Sequence, residues 1–450
     1  MNKIAVGMVS LGCPKNEIDG EHILHDLAED PRFDLAEEQE ADVLIIHTCA
    51  FIQAAREEAI GAILDACGRK EEGTLKAVVV TVCLAQRYQQ ELADEIPEVD
   101  VILGIGAHQQ IADAIVSALG GETVLSIGQK EQLRLSHPRL LTTPPHYAYL
   151  KIAEGCDNYC SYCAIPYIRG RFRSRPMDEI LKEAELLFRQ GVKELIVIAQ
   201  DTTRYGEDWG GASRLPELLR ALSNIGFVWI RTLYCYPERI TDELLNVISE
   251  EPAVLPYFDI PIQHCNDEIL RRMNRKITGL EIRSLLDRIR SRIPEAVLRT
   301  SLIAGFPGET EEQFDELLRF VEEVKFDRMG CFAYSQEEGT PAGRMEGQLP
   351  DWIKEERAER IQWAQQQILE EKARQKTGLT LPVLCEEETP GGFIGRTAAD
   401  APEIDCSILV YADVSVPIGS LVLAKIVGEE NGDLIGQLSG EEIQNDEFTK

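Results

Sequence analysis

Positive charge is scarce in this chain. Its 450 residues include 46 lysines and arginines against 77 aspartates and glutamates, a formal net charge of −31. Such a balance repels polyanions, so a nucleic-acid partner would need a local basic patch, whereas a strongly basic protein would be attracted. Long apolar runs are also missing, and none approaches the roughly 20 residues of a membrane span. The opening stretch MNKIAVGMVSLGC has one lysine and a short apolar run, without the long hydrophobic region and cleavage site of a secretory leader. The expectation is a cytoplasmic protein with no membrane partner. In a reducing compartment its 12 cysteines are better suited to metal or catalytic use than to disulfides. The 7 histidines form no recognisable metal set.

What the chain does have is cysteine in patterns. Cys156, Cys160 and Cys163 lie in GCDNYCSYC, spaced CxxxCxxC. Three soft thiolates on one short loop suit an iron–sulfur cube and leave one of its irons free for another ligand. Zinc sites usually present ligand pairs across a longer gap and a fourth Cys or His, which has no counterpart here. Cys13, Cys49 and Cys83 are far apart in sequence, yet each ends one of the apolar, β-rich runs KIAVGMVSLG, ADVLIIHTC and AVVVTVC. The intervals of 36 and 34 residues are each about one strand–helix unit. In a parallel sheet those strand ends share one edge, where such folds place their sites. Cys67, Cys235, Cys265, Cys331, Cys385 and Cys406 have no such spacing and read as small buried apolar residues.

Strand–helix alternation predicts an α/β fold. A parallel-sheet, Rossmann-like domain is expected over 1–125 and a linker with three prolines over 126–145. Alternation then resumes with AYLKIAEG, ELIVIAQDT, WIRTLYCYP, YFDIPIQH, VLRTSLIAGFPG and DRMGCFAYS. Six such units predict a partial, TIM-like β/α barrel over 146–375, ending in a long polar helix from about Asp351 to Gln375. From 376 to 450, short strands with Gly, Pro and Asp turns predict a small all-β barrel.

GCDNYCSYCAIPYIRGRFRSRP resembles the cluster loop of radical S-adenosylmethionine (SAM) enzymes, in particular the methylthiotransferases. SLGCPKNEIDGE, HTCAFIQAAREEAI and VCLAQRY resemble that family's three N-terminal cysteine motifs, and DIPIQHCNDEILRRMNR and TSLIAGFPGETEEQF its barrel motifs. The last seventy or so residues resemble a TRAM β-barrel. SLGCPKN and GRTAADAPEID look most like the branch that modifies an aspartate of small-subunit ribosomal protein S-twelve. The resemblance implies a 4Fe–4S cluster on Cys156, Cys160 and Cys163, whose open iron binds SAM and cleaves it to a radical that abstracts hydrogen from the substrate. It implies an auxiliary 4Fe–4S cluster on Cys13, Cys49 and Cys83 that carries the sulfur to be transferred. A second SAM would supply the methyl group. No side chain is singled out as catalytic beyond these cofactors.

Tyr162, Gln200, Gly305, Phe306 and Pro307 are the candidate SAM contacts. Arg169, Arg171, Arg173 and Arg175 alternate in RGRFRSR; in an extended segment all four would point one way, toward cofactor or substrate carboxylates, unless the protein's own acids take them. Two positions depart from the family pattern: His47 where Asn is usual and Val82 where Gly is usual. The sister activity on tRNA adenosine (MiaB-like) and an iron–sulfur carrier or electron-transfer protein are the alternatives. Residues 376–450 hold 4 basic and 14 acidic residues, a net of −10. That favours a basic ribosomal protein over tRNA, with nucleic acid met only through the ribosome. Glu386, Glu387 and Glu388 form the densest acidic run there and are the expected docking residues. An electron donor such as flavodoxin or ferredoxin is the other implied partner.

Overall fold

A computed structural model of the protein describes residues 3–442. Of the terminal domain expected over 376–450, residues 443–450 lie outside the described residues. The chain divides into two compact units. The smaller comprises Met1–Thr143, Ala153–Arg175 and Ser335–Gly343; the larger comprises Pro144–Ile152, Pro176–Tyr334 and Arg344–Lys450.

The smaller unit is built on a six-stranded parallel sheet. Its order is Phe33–Leu35, Ile4–Ser10, Val43–Thr48, Ala77–Val82, Val101–Leu103 and Val124–Ser126. The two central strands, VLIIHT and AVVVTV, are buried at every position. Continuous apolar runs of this kind belong in parallel sheets covered on both faces. One face packs Val78 and Val80 with Ile63; the other packs Ile45 and Val79 with Ile111 and Ile115. The short edge strands Phe33–Leu35 and Val124–Ser126 carry too few residues to be read from the sequence pattern. Ala164 and Ile168 join the first of these cores. The loop of Cys156, Cys160 and Cys163 therefore belongs to the same compact unit as Cys13, Cys49 and Cys83. Glu337 ties Ser335–Gly343 to this unit by accepting hydrogen bonds from Arg56 and Arg87.

In the larger unit six parallel strands form two three-stranded sheets. One has the order Trp229–Thr232, Glu194–Ile198, Tyr147–Lys151; the other Tyr257–Asp259, Val297–Ala304, Arg328–Ala333. Helices alternate with them, as predicted. The helix Glu311–Val324 starts at a capping box, in which Gln313 N donates to Thr310 Oγ1 and Thr310 N to Gln313 Oε1. The long helix runs Asp351–Gln375. The chain ends in a closed five-stranded barrel, with the order Thr380–Thr389, Gly392–Arg396, Ile408–Tyr411, Asp433–Glu442, Leu421–Glu430.

Buried charges join this barrel to the parallel strands. Glu194, fully buried, receives Arg231 Nε at 2.6 Å and Arg396 Nη2 at 2.7 Å. Burial alone would raise the Glu194 pKa, but the two guanidiniums hold it below the usual carboxylate value. Arg396 also donates to the backbone oxygen of Asp400 at 2.7 Å and pairs with Glu386, which is 3.0 Å from His146 Nε2. The acidic run expected to dock a partner is thus divided. Glu386 belongs to this internal network, and only Glu387 and Glu388 are exposed.

The division reflects a register shift between Cys385 and Glu387 and the pairing of Glu386 with Arg396 and His146. Truncating a buried ion-pair partner typically costs about 3–5 kcal/mol, because the remaining charge is left uncompensated. Arg396→Met is accordingly expected to lower the urea midpoint sharply, and Glu387→Lys to leave it nearly unchanged, as monitored by circular dichroism.

Candidate functional site

Three neighbouring strands of the smaller unit deliver Cys13, Cys49 and Cys83 to one edge. Ile4–Ser10 pairs with Val43–Thr48, which pairs with Ala77–Val82, and each cysteine follows the end of its strand. Cys13 caps the helix Pro14–Glu29, and Cys83 opens the helix Cys83–Glu95. Both cysteines therefore stand at helix N-termini, where the first backbone amides have no partner within the helix. Gly12 has φ +111, and a Cβ there would stand 2.9 Å from Cys49 Cβ, so only glycine lets the two loops close this tightly. Burial raises the Cys49 pKa against hydrogen bonds from the Phe51 and Ala50 amides, and it pushes Cys83 up to about 12 against the pull of Arg169.

Asn16 holds the three loops in place. Its Nδ2 donates to Leu11 O at 3.2 Å and Thr48 O at 3.0 Å, while its Oδ1 accepts from Cys83 Sγ at 3.5 Å. It stands three residues after Cys13 in the SLGCPKN motif, a position that sequence reasoning alone gave no role.

The second cysteine set lies between the strand Ala153–Glu154 and the helix Ile165–Arg169. Cys156 N donates to Gly170 O at 3.1 Å and Cys163 N to Cys160 O at 3.0 Å, which curls the loop. Gly155 has φ +79, and a Cβ there would meet Arg171 O at 2.1 Å, so the loop entry requires glycine. Burial, then the neighbouring Cys160, raises the Cys163 pKa well above its ordinary value.

Arg169 links the two sets. Its Nη1 donates to Asp19 Oδ2 at 2.7 Å and Glu154 Oε2 at 2.9 Å; its Nη2 donates to Asn16 Oδ1 at 2.5 Å and lies 3.7 Å from Cys83 Sγ. Burial opposes its charge, yet Glu154 and Asp19 hold the guanidinium pKa above normal.

The arginine run does not present one face. Gly170 at φ +80 breaks the chain direction, and the residues behave separately. Arg169 is buried, Arg171 is exposed and paired with Asp157, Arg173 donates to the backbone of Lys130 and Glu131, and Arg175 reaches Ser136 Oγ. Of the two readings the sequence left open, these contacts match pairing with the protein's own groups.

A structural zinc site closes its tetrahedron with a fourth Cys or His, whereas three soft thiolates in each set fit a polynuclear iron–sulfur group.

Of the candidate SAM contacts, Tyr162 is half-buried within the second cysteine loop. Gln200 follows the strand Glu194–Ile198 in the larger unit. Gly305, Phe306 and Pro307 follow the strand Val297–Ala304, and the amides of Gly305 and Phe306 donate to Glu309 at 3.1 and 3.4 Å. Glu309, itself paired with Arg357 at 2.7 Å and buried beside His264, shapes this turn.

Comparison with known proteins agrees with this geometry. Residues 5–104 match the family described as Uncharacterized protein family UPF0004, residues 150–321 the Radical SAM superfamily, and residues 377–438 the TRAM domain. Over nearly its whole length the chain is similar to the ribosomal protein uS12 methylthiotransferase RimO of Desulforamulus reducens. The two are 48% identical over 446 residues, covering 97% of this chain and 99% of the relative. The chain belongs to the RimO family. The RimO of Geobacter sulfurreducens is 46% identical over 450 residues, with 97% and 99% covered. Among solved structures, the cobalamin-dependent SAM radical enzyme OxsB has a similar fold, with a TM-score of 0.51 at 12% identity over 80% of this chain and 56% of that one.

The two departures from the family pattern have distinct consequences in this RimO-family chain. His47 is fully buried, and its Nε2–H donates to Asn16 O at 2.8 Å. Burial, and then His108, pushes its pKa down to about 3, so it supplies a neutral donor. Val82 adopts φ 77 and ψ −129, a conformation that costs a β-branched residue about 1–3 kcal/mol. Glycine is ordinarily worse than alanine by roughly 0.5–1 kcal/mol. At position 82 that order is expected to invert, with Val82→Gly at least as stable as Val82→Ala in thermal melts.

Arg169→Leu is expected to cost about 3–5 kcal/mol by stranding Asp19 and Glu154, with Arg169→Lys intermediate. Denaturant titration of the three proteins checks that order.

Proposed function

We propose that this chain inserts a methylthio group at the β-carbon of an aspartate in ribosomal protein uS12, using SAM and two 4Fe–4S clusters. The observation that carries the reading is the presence of two sets of three cysteines in one compact unit, joined through Arg169. Cys156, Cys160 and Cys163 are assigned to one cluster, and Cys13, Cys49 and Cys83 to the other. When bound, these groups supply one-electron cleavage of SAM, hydrogen abstraction and a methylated sulfur for transfer.

The remaining work falls to the chain itself. Buried loops shield the cysteine sulfurs from water, and Cys13 and Cys83 stand at helix starts. Asn16 fixes the spacing of the strand-end set. Arg169 places a buried positive charge beside Cys83, which offsets the negative charge of a thiolate-held cluster. The proposed SAM contacts are Tyr162, Gln200, Gly305, Phe306 and Pro307.

Residues 376–450, at a net of −10, repel tRNA phosphates and suit a basic ribosomal protein, met free or on the small subunit. The electron comes from a donor of the flavodoxin or ferredoxin kind, and the work is done in the cytoplasm. Among the described residues no helix is long and apolar enough to cross a membrane.

Anaerobically reconstituted protein is expected to hold about eight irons, because each cysteine set takes a four-iron cube. Changing Cys156, Cys160 and Cys163 to Ala should leave about half of that iron and abolish SAM cleavage. Changing Cys13, Cys49 and Cys83 to Ala should also halve the iron but spare cleavage while stopping methylthiolation of uS12, read by mass spectrometry. SAM cleavage by the first variant, or a methylthiolated product from the second, would overturn the assignment.

A further inference from the structure

We propose that His25, Asp26 and His137 form a binding site for one divalent transition-metal ion of the zinc class, separate from both cysteine sets. His22, His25 and Asp26 lie on the helix Pro14–Glu29, at the i, i+3 and i+4 spacing that puts them on one face. His137 arrives from the proline-containing stretch that follows the first sheet. Donor atoms of His25, Asp26 and His137 all lie within 4.8 Å of one another. His137 Nε2 is 2.5 Å from Asp26 Oδ1, and His25 Nδ1 is 3.9 Å from the same oxygen. Zinc bonds of about 2.0–2.2 Å to nitrogen and oxygen place tetrahedral ligands roughly 3.4 Å apart, so changes in separation of up to about 1.4 Å complete the geometry.

Two further observations point to a ligand here. His25 Nδ1 is buried and has no hydrogen-bond partner among the described residues. A cavity of about 20 Å³ lies on the Asp26 and His137 side of the group, lined also by His22, His108 and Arg134 but not by His25. That is room for one water-sized species. Arg134 opposes a cation, and the Asp26 carboxylate offsets it at closer range. Two imidazoles and a carboxylate are hard-to-borderline donors that suit zinc, in contrast to the soft thiolates nearby.

Such an ion would fasten the stretch around His137 to the helix that begins after Cys13. Glu21 of the same helix already holds that stretch further along, accepting from Arg139 Nη1 at 2.5 Å and Thr142 N at 2.7 Å. The metal adds a fastening one turn away without touching either cysteine set.

The test uses iron-loaded full-length protein and Zn²⁺ alone, by isothermal titration, with zinc and iron counted after gel filtration. One zinc per chain is expected with iron unchanged, and zinc should slow tryptic cleavage after Arg134 and Arg139. His137→Ala and Asp26→Asn should each weaken zinc binding by about tenfold or more and remove the protection, with iron content as the check on folding. Should His137→Ala lose iron, His25→Gln at its partly exposed position carries the same comparison. No retained zinc, equal binding by the variants, or zinc taken up only as iron leaves would overturn the proposal.

Discussion

The guanidinium of Arg169 is the point on which the cysteine-bearing unit depends. A buried arginine is tolerated only when its charge is matched and its donors are taken, and here Asp19, Glu154 and Asn16 do both. Asn16 in turn spans the loops before Cys13 and Cys49 and accepts from Cys83. Two cysteine sets that lie 73 residues apart at their nearest are therefore positioned by one hydrogen-bonded node. The arrangement leaves little freedom for either loop to move alone. It also puts a positive charge where thiolates would otherwise face only burial, which pushes Cys83 up to about 12.

A second buried network does comparable work in the larger unit. Glu194 at the start of a parallel strand is shared by Arg231 and Arg396, and Arg396 lies on the terminal barrel. Tyr257 Oη donates to Asp405 at 2.5 Å and Arg328 pairs with Asp400, so further strand starts are tied to the barrel in the same way. The acidic surplus of the terminal residues is thereby split. Glu386, Asp400 and Asp405 serve the interior of the unit, whereas Glu387 and Glu388 face solvent and remain available to a basic partner. Net charge describes the long-range field, and burial decides which carboxylates a partner can reach.

Strained backbone collects near the cysteines. Gly12, Val82, Gly155, Tyr159 and Gly170 all have positive φ. Tight turns at strand ends are what allow sulfurs from separate loops to converge. Glycine absorbs that conformation at three of these positions, and Val82 and Tyr159 adopt it at a cost.

Much of this was legible in the residues. Largely apolar, β-rich six-residue runs announced the central strands, and the cysteine after each run announced its place at the sheet edge, because side-chain periodicity and parallel topology are local and repetitive. The CxxxCxxC loop was legible because a multinuclear site built from one loop must write its spacing into the sequence. Motifs spread over the chain also identified the family. The roles of Asn16, Asp19, Glu154 and Glu309 were not legible, since a polar residue gains its partner only when distant segments meet. The arginine run left open whether outside carboxylates or the protein's own groups would take the guanidiniums, and folding gave each a partner within the chain; Glu386 was misjudged because Arg396 and His146 reach it only once the strand packs. The seven histidines showed no ligand spacing, and only folding brought His137 to His25 and Asp26. Sequence by itself determined the elements and the cysteine chemistry, which depend on local period and spacing. Tertiary structure alone decided the pairing of buried charges, because a desolvated charge is stable only beside a partner whose position no local pattern specifies.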